Sequence, residues 1–146
     1  MTILLRAVLG WLAAVLAVLV FNQGMVWVLY ANGLLPTPPY DLAPVGALHI
    51  PHLADLCFWG GLYGVAFGSA LPWLPRWPGW VLGLGLGLLA AVVGWFVVAP
   101  LEGLPVASGW DPEAMLRSVL IDGFWGIGVG VIALTLIPPR LIFRLR

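Results

Sequence analysis

The sequence predicts an all-α integral membrane protein, a four-helix bundle laid out as two parallel-repeat helical hairpins with long outer loops. Three observations predict it. Hydrophobic residues make up 62% of the 146 and charged residues 8%, with a mean hydropathy of +1.08. A soluble domain carries roughly 25% charged residues, so too little polar side chain is present to cover a water-facing surface. Long apolar runs recur four times between proline-rich stretches. Finally, Phe124-Trp125-Gly126 with Gly130-Val131 echoes Phe58-Trp59-Gly60 with Gly64-Val65, and an acid precedes each copy, Asp122 and Asp55.

The length allows one domain, residues 1–146. The first span is 7–31. Arg6 followed by an apolar run resembles a signal peptide, but no A-x-A site follows and the run continues through Met25–Leu29. A signal core is about 7–15 residues and a spanning helix about 20, so this segment is expected to remain as a transmembrane helix. The other spans are 53–73, 80–99 and 119–137, followed by a cytoplasmic tail, 138–146. Pro72, Pro75 and Pro78 mark the turn between spans two and three. Pro100 and Pro105 close span three, and Pro138-Pro139 stops span four. Proline lacks the donor that a continuing helix needs.

Arginine sets the orientation. Arg6, Arg76, Arg140, Arg144 and Arg146 fall on one side of the four-span arrangement and Arg117 on the other. The positive-inside rule then makes both termini cytoplasmic, and Asp41, Asp55, Glu102, Asp111, Glu113 and Asp122 lie on or near the outer face. Trp11, Trp73, Trp77 and Trp80 fit the inner aromatic belt; Trp27, Trp59, Trp95 and Trp110 fit the outer one. Trp125 is too deep for either. The basic tail reads as a short interfacial segment held by anionic lipid. Arginine without lysine, with abundant Ala, Gly, Leu, Pro and Trp, is the composition expected of a bacterial inner-membrane protein from a GC-rich genome.

The long connections are both on the outer side. Residues 32–52 carry Pro36, Pro38, Pro39, Pro44 and Pro51, which predicts an extended, stiff loop. In residues 101–118, Asp111-Pro112-Glu113 supplies a capping acid, a proline at the first helical position and a second acid, together a helix start. Glu113 and Arg117 are then neighbours one turn apart. Gly33-Leu34-Leu35-Pro36 echoes Glu102-Gly103-Leu104-Pro105, so the repeating unit is a helix, a loop and a helix. Repeats two spans apart point the same way, which is a parallel repeat.

Glycine decides how the helices meet. Gly60, Gly64 and Gly68 form one smooth stripe on span two; Gly126 and Gly130, with Gly128, thin span four; Gly83, Gly85 and Gly87 thin span three. Lipid supplies no hydrophobic drive between helices, so close backbone approach at small residues is the main attraction. The stripes serve either packing within the bundle or contact with another subunit, in a homo- or hetero-oligomer.

The candidate chemistry lies in a few polar residues. Asp122 sits within an apolar run, about 40° from Gly126 at 3.6 residues per turn. It reads either as a proton- or cation-binding carboxylate or as an acid hydrated from the outer face. Asp55 falls opposite the Gly60/Gly64 stripe, where it suits the helix dipole as a first-turn acid. Asn22 and Gln23 are amides inside span one, expected to bond across to another helix or to line a polar cavity with the acids. His49 and His52, with Asp55 and Asp41, are a metal-ligand candidate, since histidine is the commonest metal ligand; Pro51 argues against one shared helical face. Cys57 is the only cysteine, which excludes an internal disulfide or a cysteine cluster. No basic run of a nucleic-acid binder exists, nor any Ser/His/Asp order, phosphate loop or haem-attachment motif. No cofactor is indicated.

These features predict a non-catalytic accessory or scaffold subunit of a membrane complex, associating with the bilayer and with other membrane proteins through its glycine faces. The alternatives are a small proton or metal-cation transporter with an acidic outer vestibule and, more remotely, a membrane-surface enzyme.

Overall fold

A computed structural model describes residues 2–138. Pro139, Arg140, Arg144 and Arg146, on which the expected inner-face charge and tail rest, lie outside the described residues.

Four long helices make up the fold. The first runs Thr2–Ala17, widens into a π-helical turn at Val18–Asn22 and continues as Gln23–Ala31. The second is His52–Ala70, ending in a tight turn at Leu71–Trp73. The third runs Gly79–Val93, through a second π-helical turn at Gly94–Val98, to Ala99–Leu101. The fourth is Pro112–Leu136. Its start is where the sequence puts a cap: Asp111 accepts a hydrogen bond from the Glu113 backbone N–H at 3.2 Å, with Pro112 as the first helical residue. The fourth helix therefore begins well before residue 119.

Ile3–Ala31, Gly79–Leu101 and Pro112–Leu136 are each long and apolar enough to cross a membrane. The second helix does not reach that mark. His52, Asp55 and the glycines Gly60, Gly61, Gly64 and Gly68 dilute its hydropathy. Those glycines serve packing instead, and lipid-scale apolarity is given up for close approach.

Helices one and two form a first hairpin, three and four a second. In the first, a Cβ at Gly10, Gly64 or Gly68 would come under 3.0 Å from the backbone of the facing helix. In the second, the same holds at Gly79, Gly83, Gly87, Gly126 and Gly130. The two backbones of each hairpin therefore touch, which only glycine permits. Gly60 faces Val18 within its own hairpin and Trp125 of the other one. The packing glycines expected from sequence, Gly60, Gly64, Gly68, Gly126 and Gly130, are all used inside the chain.

The hairpins join through the first and fourth helices. Ala13, Ala14, Ala17 and Val18 bury against Trp125, Val129 and Ala133, and the Trp125 indole donates to the Ala14 carbonyl at 3.2 Å. Phe21 lies over Gly128 and tilts against Phe124, ring centres 5.4 Å apart. The second and third helices scarcely touch.

The first and third helices end alike. Gly33 (φ 71°) donates to Tyr30 at 3.0 Å and Leu34 to Leu29 at 2.9 Å; Gly103 (φ 73°) donates to Pro100 at 3.2 Å and Leu104 to Ala99 at 2.8 Å. This is the Schellman arrangement, which satisfies the last carbonyls with a left-handed residue. The loops beyond diverge. The first is not simply extended: Pro44–Val45 pairs antiparallel with Ile50–Pro51 around a turn at Gly46. The second contains a left-handed turn over Ala107, Ser108 and Gly109. Arg117 bridges the hairpins, reaching the Leu34 carbonyl at 3.4 Å while lying 4.0 Å from Glu113.

Candidate functional site: a cleft between the second and third helices

Where the second and third helices stand apart, a cleft of about 780 Å³ opens. One wall is the stripe Asp55, Trp59, Leu62 and Ala66 of the second helix, successive turns of one face. The opposite wall is the C-terminal half of the third helix, from Ala90 through Val93, Gly94 and Val97 to Leu101, with Glu102 at its end. The floor comes from the other two helices: Val18 and Asn22 from the first, Asp122 and Trp125 from the fourth. Tyr63 closes it, standing edge-on to Trp125 with ring centres 6.0 Å apart.

Both π-helical turns border this space, through Val18 and Asn22 on one side and Gly94, Val97 and Val98 on the other. A π turn inserts a residue, re-aims the side chains after it and frees a carbonyl; such turns gather at functional sites. Here the Leu19 carbonyl, inside the first π turn, accepts from the Tyr40 hydroxyl at 2.7 Å. Tyr40 also donates its backbone N–H to Gln23 Oε1, and Gln23 donates to Asn22 Oδ1 at 2.9 Å. The amide pair is thus divided. Gln23, buried, ties the first loop to its own helix rather than to a neighbouring one; Asn22, also buried, lines the cleft.

Three carboxyl groups line the cleft, Asp55, Glu102 and Asp122, and no arginine or histidine does. Their side chains make no hydrogen bond or ion pair among the described residues. Asp122 lies where the third and fourth helices meet, its backbone carbonyl against Gly87. Asp55 sits in the first turn of the second helix.

The residues considered for a metal are dispersed. His52 Nδ1 lies 3.9 Å from Asp41 Oδ2, while the other Asp41 oxygen accepts from the Ala43 N–H at 2.9 Å. His49 (φ 53°) turns back to the Ala47 carbonyl, 3.3 Å away, and Asp55 belongs to the cleft. Among the described residues no three His, Cys, Asp or Glu side chains gather in a metal-holding group. Cys57 is a free, half-buried thiol at the margin of the core.

Neither a family model, nor a curated protein, nor a solved structure matches the chain. Sequence reasoning singled out Asp122, Asp55 and Asn22 but missed Glu102, Trp59 and Tyr63 as partners. The loop echo held a signal for Glu102, since it places that acid beside the glycine that ends the third helix.

Proposed function

We propose that this chain is a multi-pass protein of the bacterial inner membrane, crossing the bilayer four times with both termini cytoplasmic, and that it binds and passes a small cation or cationic solute through the cleft. One observation carries the reading: Asp55, Glu102 and Asp122, from separate elements, line one cleft with no basic side chain among them. Charged side chains within a bilayer cost about 2.5–3.5 kcal/mol on insertion scales, and they mark ion or substrate paths. Carboxylates of one sign between apolar walls concentrate cations. The second helix supports a membrane crossing by its packing, since its stripe is fixed along a first helix that is itself long enough to span. Only 17% of the most apolar window of the third helix is buried in the chain, so lipid is the natural cover for the remainder. The reading assigns no catalytic residue.

The test is electrogenic transport in proteoliposomes presented with a panel of inorganic and organic cations. A saturable current that Asp122→Asn abolishes is expected; the same current in the variant removes Asp122 from the path.

A second reading keeps the accessory subunit. The first–fourth face is filled by Trp125, whereas the second–third face is open, and an apolar helix of another membrane protein, or of a second copy, suits that opening. On this reading Ala66→Trp, which fills the cleft, releases a partner that migrates with the wild-type chain in a native gel.

A further inference from the structure

We infer that the cleft takes an amphiphilic ammonium: a protonated amine with an oxygen acceptor a few bonds away and an apolar body. The inference rests on the cation-cleft reading above and names its ligand class.

A bare divalent ion suits this space poorly. Magnesium demands near-ideal octahedral oxygen ligation at about 2.0–2.1 Å, and no group of three candidate ligands exists among the described residues. The cleft instead offers π faces and hydrocarbon. Trp59 lines one wall while remaining 55% exposed, so its ring is available, and Tyr63 and Trp125 lie deeper. Aromatic faces attract ammonium groups within about 6 Å, the more so where water is excluded. Leu62, Val93 and Val97 give a hydrated ion nothing but accept an alkyl chain.

Asn22 supplies the observation that separates this ligand from a simple amine. It is 6% exposed and lines the floor. Its Oδ1 is occupied by Gln23, whose own Oε1 is occupied by Tyr40, so the network fixes the amide orientation. The Asn22 Nδ2 donor then has no hydrogen-bond partner among the described residues. Part of its surface is open to the cleft, where an acceptor on a ligand can reach it. An oxygen on the ligand, placed beside an ammonium held by Asp122, accepts the hydrogen bond that this donor has to give. Asp55 and Glu102, nearer the loop end, meet the cation first. A volume of about 780 Å³ lies within the usual range for small-molecule sites. Two sources share this chemistry: a soluble amphiphilic amino alcohol, and an aminoethyl phosphate headgroup whose tails leave between the second and third helices.

The experiment uses the full chain in phosphatidylcholine nanodiscs, with binding of N-decylethanolamine, decylamine, decanediol and Mg²⁺ measured calorimetrically against empty nanodiscs. N-decylethanolamine is expected to saturate at one site, with decanediol and Asp122→Asn each weaker by about tenfold or more, the loss of one charge-assisted contact. Asn22→Leu is expected to erase the preference for N-decylethanolamine over decylamine while leaving decylamine unchanged. Trp59→Ala, at an exposed position, keeps the fold and weakens both amines several-fold. Should Asp122→Asn fail to fold, Asp55→Asn at the mouth gives the same comparison in smaller measure. Decanediol binding as tightly as the amine, or Asn22→Leu leaving the preference intact, overturns the ligand class. Saturable Mg²⁺ binding without amine binding also overturns it but leaves the cation cleft standing; silence from every cation removes both. Mass spectrometry of retained lipid separates the sources. Phosphatidylethanolamine held by the wild type and lost from Asp122→Asn assigns the lipid, and equal retention alongside amine binding assigns the soluble amine.

Discussion

The first and fourth helices meet through a solid face, whereas the second and third stand apart around a cleft, although the repeat makes these two faces counterparts. Glycine contacts fix the correspondence. Gly64 rests on Gly10 as Gly130 rests on Gly79, so helix one answers to helix three and helix two to helix four. Trp59 and Trp125 then occupy the same place in their copies, yet one is 55% exposed and the other 4%. The cause lies on the opposing helix. Trp125 shares the buried core with Ala13, Ala14 and Ala17, small side chains that leave room for an indole, and bonds to the Ala14 carbonyl. At the corresponding turns the third helix carries Leu82 and Leu86, and its glycines Gly83 and Gly87 are already covered by the fourth helix. Trp59 has no such room to enter. One packed face holds the hairpins together, and its counterpart is left free to hold something else.

The largest expected effect tests what the two hairpins share. At Gly126 any side chain meets the backbone of Gly83 and Gly87, which cannot rotate away. Overpacking ordinarily costs about 1–3 kcal/mol, and with no side chain to yield, Gly126→Leu is expected to exceed that range and abolish cooperative thermal unfolding in detergent. Gly64→Leu, facing Gly10 and Ala14, is expected to match it. Gly85→Leu, with nothing within 4 Å, is expected to stay within about 0.5 kcal/mol of wild type. A tolerant Gly126→Leu would show that the backbones do not touch.

The next effect tests what separates the faces. Trp125→Ala removes a buried ring and the indole bond to Ala14, and is expected to cost about 3 kcal/mol or more in unfolding free energy. Trp59→Ala is expected to cost about 0.5 kcal/mol or less, as surface changes do. Equal losses from the two would mean that the second–third face is as closed as the first–fourth one, and the cleft reading would fail with it.

Much of this arrangement was legible before any coordinates. Proline and glycine placed the helix ends, because their backbone limits act locally, and Asp111-Pro112-Glu113 announced the fourth helix by its capping chemistry. The glycine stripes announced close approach, but not between which helices: Gly64 carries no mark that distinguishes Gly10 of its own chain from a neighbour. The cleft was not legible. It follows from whether alanine or leucine faces a tryptophan across a helix pair, a relation between distant residues. The two π turns were hidden for a related reason. Neither Val18–Asn22 nor Gly94–Val98 contains proline, so no local signal marks the extra residue. Asn22 was singled out for its polarity, while its free donor depends on Tyr40, placed by a loop whose short paired ribbon leaves no alternating pattern in so few residues.

The smallest effect asks whether the likeness of the hairpins reaches their loop ends. Gly33 and Gly103 take left-handed conformations, φ 71° and 73°, with nothing within 4 Å of a built Cβ. Crowding therefore contributes nothing, and replacing either by alanine isolates the conformational cost, about 1–2 kcal/mol for an L-residue in that region. Gly33→Ala and Gly103→Ala are expected to lower unfolding free energy by the same amount, within about 0.3 kcal/mol, and their combination to be additive because each cap closes its own helix. Arg117 gives the comparison a built-in check. It reaches the Leu34 carbonyl beyond Gly33, and no such bond to Leu104 is found among the described residues, so any excess loss at Gly33 should vanish in an Arg117→Ala background. An excess that survives the removal of Arg117 would mean that the two caps differ in the helices themselves, and the hairpins would then be alike only where their glycines touch.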